Sequence, residues 1–286
     1  MKNTFAADIV ETLLLACPDR ALGFAQLETL ISQLDGDNQF RLDIALNHMR
    51  MRMAILENLY PFEVLPYAVK KAPNCEEFAY TALLALSPAG LIRNFLDVRG
   101  IARAAIVFEE IVDIAVKGLA GRGGQSTRFG WPSSVGRPQE FPEAIAWIGT
   151  LMGVHLGRGF RPPRRKDGGV DIIAWRKFRD GKSAFPIFLI QCTIQSDLKK
   201  KAEDIDLRNW AYWLDFARDP VPVLAVPHEV SGVDEDWKEI SLKSLVIDRL
   251  RIVELLDDAA TFNHNFIASD WQIETLSKLR DWMEGE

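Results

Sequence analysis

Two apolar runs separated by an Asp-Gly turn constrain this chain most. The first is Gly169-Val-Asp171-Ile-Ile-Ala-Trp175 and the second is Pro186-Ile-Phe-Leu-Ile190-Gln191-Cys192-Thr193; between them lies Arg176-Lys-Phe-Arg-Asp180-Gly181-Lys182. Runs of that length, rich in Ile and Phe and joined through Asp-Gly, predict an antiparallel β-hairpin. Side chains alternate along a strand, so Gln191 and Thr193 share a face while Cys192 takes the other. Asp171, after two glycines, falls beside the carboxyl end of the second strand.

The flanking chain supplies further elements. Helical spacing of apolar residues predicts helices over Ala6–Cys17, Phe24–Leu34 and Phe40–Tyr60, and no strand is needed in the first hundred residues. Asn74-Cys-Glu-Glu77 has the form of a capping box opening a helix through Leu86, and a further helix runs from Ile101 to Ala120 carrying Glu109 and Glu110. Gly121 to Gly130 reads as a mobile Gly-rich connector, without the Gly-Lys-Ser/Thr ending of a phosphate-binding loop. Pro142 suits the first turn of a helix carrying Glu143, Val154–Phe160 is expected as a first strand, and Asp197–Ala217 as one helix. Val221–Val226 reads as a strand, and Leu245–Leu256 as a strand or a short helix. Ser269-Asp-Trp-Gln272 predicts a capped carboxyl-terminal helix. The expectation is an α+β or α/β chain: an all-helical domain over residues 1–100, then a domain over 101–286 with a mixed central sheet flanked by helices and a core at about 138–228.

Composition excludes several classes. The longest apolar runs, such as Thr12-Leu-Leu-Leu-Ala-Cys17, fall short of the roughly 20 residues that span a bilayer, so no membrane partner is expected and the default location is cytoplasmic. Cys17, Cys75 and Cys192 are too few and scattered for a disulfide framework or a zinc site. The net charge of −6 argues against a generally basic nucleic-acid binder, yet residues 161–201 hold 11 Lys or Arg against 4 Asp. That local excess is either a solvated surface or a phosphate-binding face, with Arg164, Arg165 and Lys166 as candidate phosphate contacts.

A carboxylate on one strand and a polar pair closing the next could hold a divalent ion, which stabilises charge on a phosphoryl group and activates water. In this arrangement the chain resembles the PD-(D/E)xK restriction-endonuclease-like superfamily, in particular its Mrr-like members, over about residues 140–228. The residues that carry the resemblance are a helix glutamate, Gly169-Val-Asp171-Ile-Ile, and a strand ending in Gln191. It implies a restriction-endonuclease-like fold and Mg²⁺- or Mn²⁺-dependent hydrolysis of DNA, with a role in bacterial, antiviral defence. It also implies metal ligation by Asp171, Gln191 and Glu143, with Glu110 as the competing helix glutamate and Glu140 a weaker one. Thr193 stands where the family carries lysine; Lys199 or Lys201, just beyond, would supply the migrated cation. The alternative is a nuclease-fold subunit without catalysis that binds nucleic acid or a partner protein, and the helical domain could equally mediate a homo-oligomer.

Overall fold

The computed structural model describes residues 3–34, 41–88, 91–133, 135–159, 162–163, 167–232, 235–259, 277–278 and 280–281. The chain opens with α1 (Asn3–Ala16), β1 (Ala21–Gly23), α2 (Phe24–Leu34), α3 (Leu42–Leu56), β2 (Phe62–Val64) and β3 (Ala68–Lys71). Its three strands form an antiparallel sheet in the order β1-β3-β2, which corrects the expectation of an all-helical first hundred residues. Each strand has only three or four residues, too few for an alternating pattern to register against the helices around them.

A 3-10 turn (Cys75–Glu77) leads into α4 (Ala79–Leu86), and another (Leu91–Phe95) into α5 (Val98–Ala120). The expected capping box at Asn74 is absent: Asn74 sits in the left-handed region (φ 53°) and its side chain caps nothing. Asp97 does cap, accepting from the Gly100 N–H at 2.7 Å at the start of α5.

The remaining elements are β4 (Gln125–Arg128), α6 (Phe141–Met152), β5 (Ile172–Trp175), β6 (Ile187–Cys192), α7 (Leu198–Ala202), α8 (Leu207–Trp213), β7 (Val221–Ala225), α9 (Glu235–Ser241), β8 (Leu245–Ile247) and α10 (Arg249–Asp258). They build a mixed sheet in the order β4-β5-β6-β7-β8, in which β5 is antiparallel to both neighbours while β6, β7 and β8 are parallel. The predicted hairpin is therefore present, with Ile172 opposite Ile190 and Trp175 opposite Ile187.

Two expectations about the sheet and one about a helix are corrected. The supposed connector Gly121–Gly130 contains β4, whose Gln-Ser-Thr-Arg sequence at the end of the sheet has no buried residue and so no hydrophobic signature. Val154–Phe160 is not a strand within its described part; Leu156 makes one bridge to Leu214. The glycines serve a close approach there, since a Cβ on Gly157 would lie 2.2 Å from the Tyr212 carbonyl oxygen. The single helix expected over Asp197–Ala217 breaks in two, because Asp206 caps α8 by accepting from the Arg208 and Asn209 N–H groups at 3.0 and 3.3 Å. Leu245–Leu256 is strand and then helix, divided by Asp248, which accepts from the Arg251 N–H. The helix expected from Ser269 lies outside the described residues.

Strand alternation sorts the sheet into two faces. Ile172, Ala174, Ile190, Val223 and Ala225 face α5 and join a core that continues through α10 into α1, α3 and α4. Ile173, Trp175 and Leu189 face α6 and α8, including the buried Trp210 and Trp213. The expected boundary at residue 100 thus falls inside α5, with one core on both sides of it.

A buried ionic cluster joins the same parts. Arg52 of α3 donates to Asp8 and Glu11 of α1, both at 2.8 Å, and to Glu229 at 2.7 Å. Arg249 of α10 donates to both Asp8 oxygens, at 2.9 and 2.7 Å. Tyr60 and Tyr80 donate to Glu11 at 2.5 and 2.8 Å, and Ser87 to Asp8 at 2.8 Å. Burial works to raise the Asp8 carboxyl, but Arg249 and Arg52 overcome it and hold the group well below the usual carboxylate range. For Glu11 burial wins over Arg52 and leaves it raised. Among the described residues no helix is long and apolar enough to cross a membrane.

Candidate metal centre at the end of β5 and β6

Asp171 is fixed through its backbone before its side chain is considered. Its N–H donates to the Ile190 carbonyl at 2.8 Å, and its own carbonyl accepts from Phe129 (2.6 Å) and Gly130 (2.9 Å). The turn that delivers it depends on Gly169, at φ 80°, where a Cβ would lie 2.1 Å from the Asp204 carbonyl oxygen. Asp167 holds the turn by accepting from the Gly169 N–H at 2.8 Å.

The Asp171 carboxylate reaches across the end of β6. Its Oδ2 accepts from the Cys192 N–H at 2.7 Å and from the Gln191 amide, whose Nε2 also donates to the Cys192 carbonyl at 3.0 Å. Gln191 is buried. The sequence therefore paired these two side chains correctly.

Electrostatics identify a third member. Burial, aided by Glu109 of α5 and Asp167, pushes the Asp171 carboxyl up to about 8 against the pull of the Cys192 N–H and Lys201. Glu109 itself is raised to about 7, first by burial and then by Asp167 and Glu110, against Arg128. The Cys192 thiol is held well above its ordinary value by burial and by Asp171, Glu109 and Asp113. Asp113, one turn beyond Glu109, has a buried Oδ1 with no hydrogen-bond partner among the described residues. Near neutral pH Asp171 is thus kept largely protonated and Glu109 about half so, a state that a bound cation reverses.

The other expected residues divide. Lys201 is partly buried, 3.4 Å from Asp204, and its charge acts on Asp171. Lys199 instead forms an exposed pair with Glu239 at 2.7 Å. Glu143 is corrected as the helix glutamate: Phe141, Ala144, Ile145 and Ile148 turn α6 inward, leaving Glu143 exposed and absent from the charges that act most on Asp171. Glu110 points to the rim of α5 and pairs with Arg128 at 3.0 Å. Thr193 is buried, and its Oγ1 accepts from the Gln195 N–H at 3.1 Å, which ends the strand. Arg164, Arg165 and Lys166 lie outside the described residues.

Glu109, Asp113 and Asp167 were missed as site residues. A helical projection held the signal for the first two: Phe108, Ile111, Val112, Ala115 and Val116 form the buried stripe of α5, and Glu109 and Asp113 border it four residues apart. Glu110 is turned away from that border.

Among the described residues no three His, Cys, Asp or Glu side chains are grouped as a metal site. The potential ligand set is two carboxylates, Asp171 and Glu109, with the Gln191 amide oxygen, which fits a hard cation. No family model matches the chain, and neither a curated protein nor a solved structure matches it significantly.

Proposed function

We propose that this protein is a metal-dependent nuclease that hydrolyses phosphodiester bonds in DNA, using Mg²⁺ or Mn²⁺. The observation that carries this reading is the Asp171 carboxylate, hydrogen-bonded to the Gln191 amide and the Cys192 N–H at the end of β6, with Glu109 of α5 among the charges that raise it. A carboxylate so placed destabilises the apo protein and has a chemical use once a cation compensates it. The resemblance to PD-(D/E)xK nucleases, resting on Asp171 and Gln191, supports the same reading and suggests the restriction-endonuclease-like fold and a part in defence against foreign DNA. The mixed sheet with β5 antiparallel between β4 and β6 suits it.

Asp171 and Glu109 would hold the ion, and Gln191 would present Oε1 after turning its amide over. The ion supplies charge stabilisation for the phosphoryl group and lowers the pKa of a water. Lys201 offers a permanent positive charge that acts on Asp171, the role that Thr193, engaged with Gln195, does not fill.

A second reading is a nuclease-fold subunit without catalysis. It is favoured by Thr193 and by the Asp171 oxygen already accepting two hydrogen bonds. The test is incubation of supercoiled, linear and single-stranded DNA with wild type and Asp171→Asn in Mg²⁺ or Mn²⁺. Cleavage by wild type alone supports the first reading; intact DNA in every lane leaves the second.

A further inference from the structure

The positive charge noted in the sequence does not all surround Asp171. Residues 176–182 contribute Arg176, Lys177, Arg179 and Lys182 against Asp180. They form the connection between β5 and β6 at the end of the hairpin away from Asp171, beyond the Trp175–Ile187 pair. Lys177 lies six positions beyond Asp171 with β5 between them, a span of up to about 20 Å at roughly 3.3 Å per residue.

This end holds a pocket of about 440 Å³ lined by Lys177, Phe178, Lys182, Phe216 and Arg218, over the apolar floor of Phe185. Asp215 is the one acidic residue in its lining. Lys177, Arg179, Lys182 and Arg218 are all exposed. Phe178 is half exposed, and the Arg176 guanidinium lies 5.7 Å from its ring centroid. Cations from two segments therefore meet around an open aromatic surface in a protein whose net charge is −6. Phosphate groups match the cations, and a ring face such as Phe178 tolerates a base or sugar against it.

We infer that the β5–β6 connection and Arg218 form a second contact for the nucleic-acid backbone, remote from the metal centre. The choice of ligand rests on the nuclease reading above. The span between the two sites, up to about 20 Å, makes the partner an extended polyanion that reaches both, rather than a mononucleotide.

The test is fluorescence anisotropy with a fluorescein-labelled DNA duplex of about 20 base pairs, in EDTA so that no cleavage occurs. The variant Lys177→Gln/Arg179→Gln/Lys182→Gln/Arg218→Gln is expected to bind at least about tenfold more weakly at about 0.1 M salt. Its salt slope should fall by about 2, since each lost phosphate contact removes about 0.9. Lys70→Gln/Lys238→Gln, of smaller charge change and elsewhere on the surface, should bind within about twofold of wild type. The inference is overturned if the fourfold variant keeps wild-type affinity, if the control pair loses as much, or if wild type does not bind duplex. Binding through this end together with a wild type that cleaves nothing leaves the contact standing and removes the nuclease reading.

Discussion

Asp8 and Arg249, 241 residues apart in sequence, form a two-pronged ion pair with both side chains almost fully buried. Without Arg249, Asp8 would keep Arg52 and Ser87 but lose its two-pronged partner in a buried site. Arg249→Met is therefore expected to lower stability by roughly 3–5 kcal/mol, read as the shift of the urea midpoint. The double variant Arg249→Met/Asp8→Leu should recover part of that loss, because it also removes the buried carboxylate that has lost its strongest partner.

Residues 1–97 expressed alone should remain unfolded by circular dichroism and proteolysis. Their helices α1, α3 and α4 share a core with α5 and α10, and Asp8 would lose Arg249. A cooperative melt of that fragment would show that the two parts fold independently.

The raised carboxyl of Asp171 makes a pH prediction. A group at about 8 in the folded chain against an ordinary 3.8 binds its proton more tightly when folded. Between these values the folded state holds the extra proton, so its contribution to stability is full at low pH and is lost as pH rises towards 8. Asp171→Asn should therefore melt several degrees above wild type at pH 8, on the order of 2 kcal/mol, and the difference should close near pH 4. Equal melting temperatures throughout would show that the carboxyl is not strained.

Cation binding should carry the same protons. Calorimetry with Mn²⁺ is expected to show affinity rising by more than about 100-fold from pH 6 to pH 8, with proton release that depends on buffer ionisation heat. Asp171→Asn and Glu109→Gln should each abolish the signal, while Glu143→Gln leaves it unchanged.

Lys201→Met should reduce cleavage by about 100-fold or more without altering Mn²⁺ affinity, as removal of a transition-state charge does. Lys199→Met should cleave as wild type does, because Lys199 is engaged with Glu239 at the surface. The reverse pattern would reassign the cation.

The parts of this fold legible in the sequence are those with strong local patterns. The β5–β6 hairpin declared itself through two apolar runs and Asp180-Gly181, and it brought Asp171 and Gln191 together as expected. β1, β2 and β3 are too short to leave a period, and polar β4 at the sheet end buries nothing. On α5 the resemblance points to Glu110, whereas Glu109 is the one of these two adjacent glutamates whose charge acts on Asp171, Glu110 being paired with Arg128. The split between Lys199 and Lys201 depends on Glu239 and Asp204, which only the folded chain brings near.

The composition of β4 has a further effect. The outermost strand of a sheet displays backbone amides and carbonyls that a foreign strand could extend, the first step of templated aggregation. Gln125 to Arg128 offer an incoming chain four residues of polar backbone and no apolar surface to gain. Protection by chemistry rather than by added bulk lets the sheet end at β4 while a misfolded neighbour finds no foothold there.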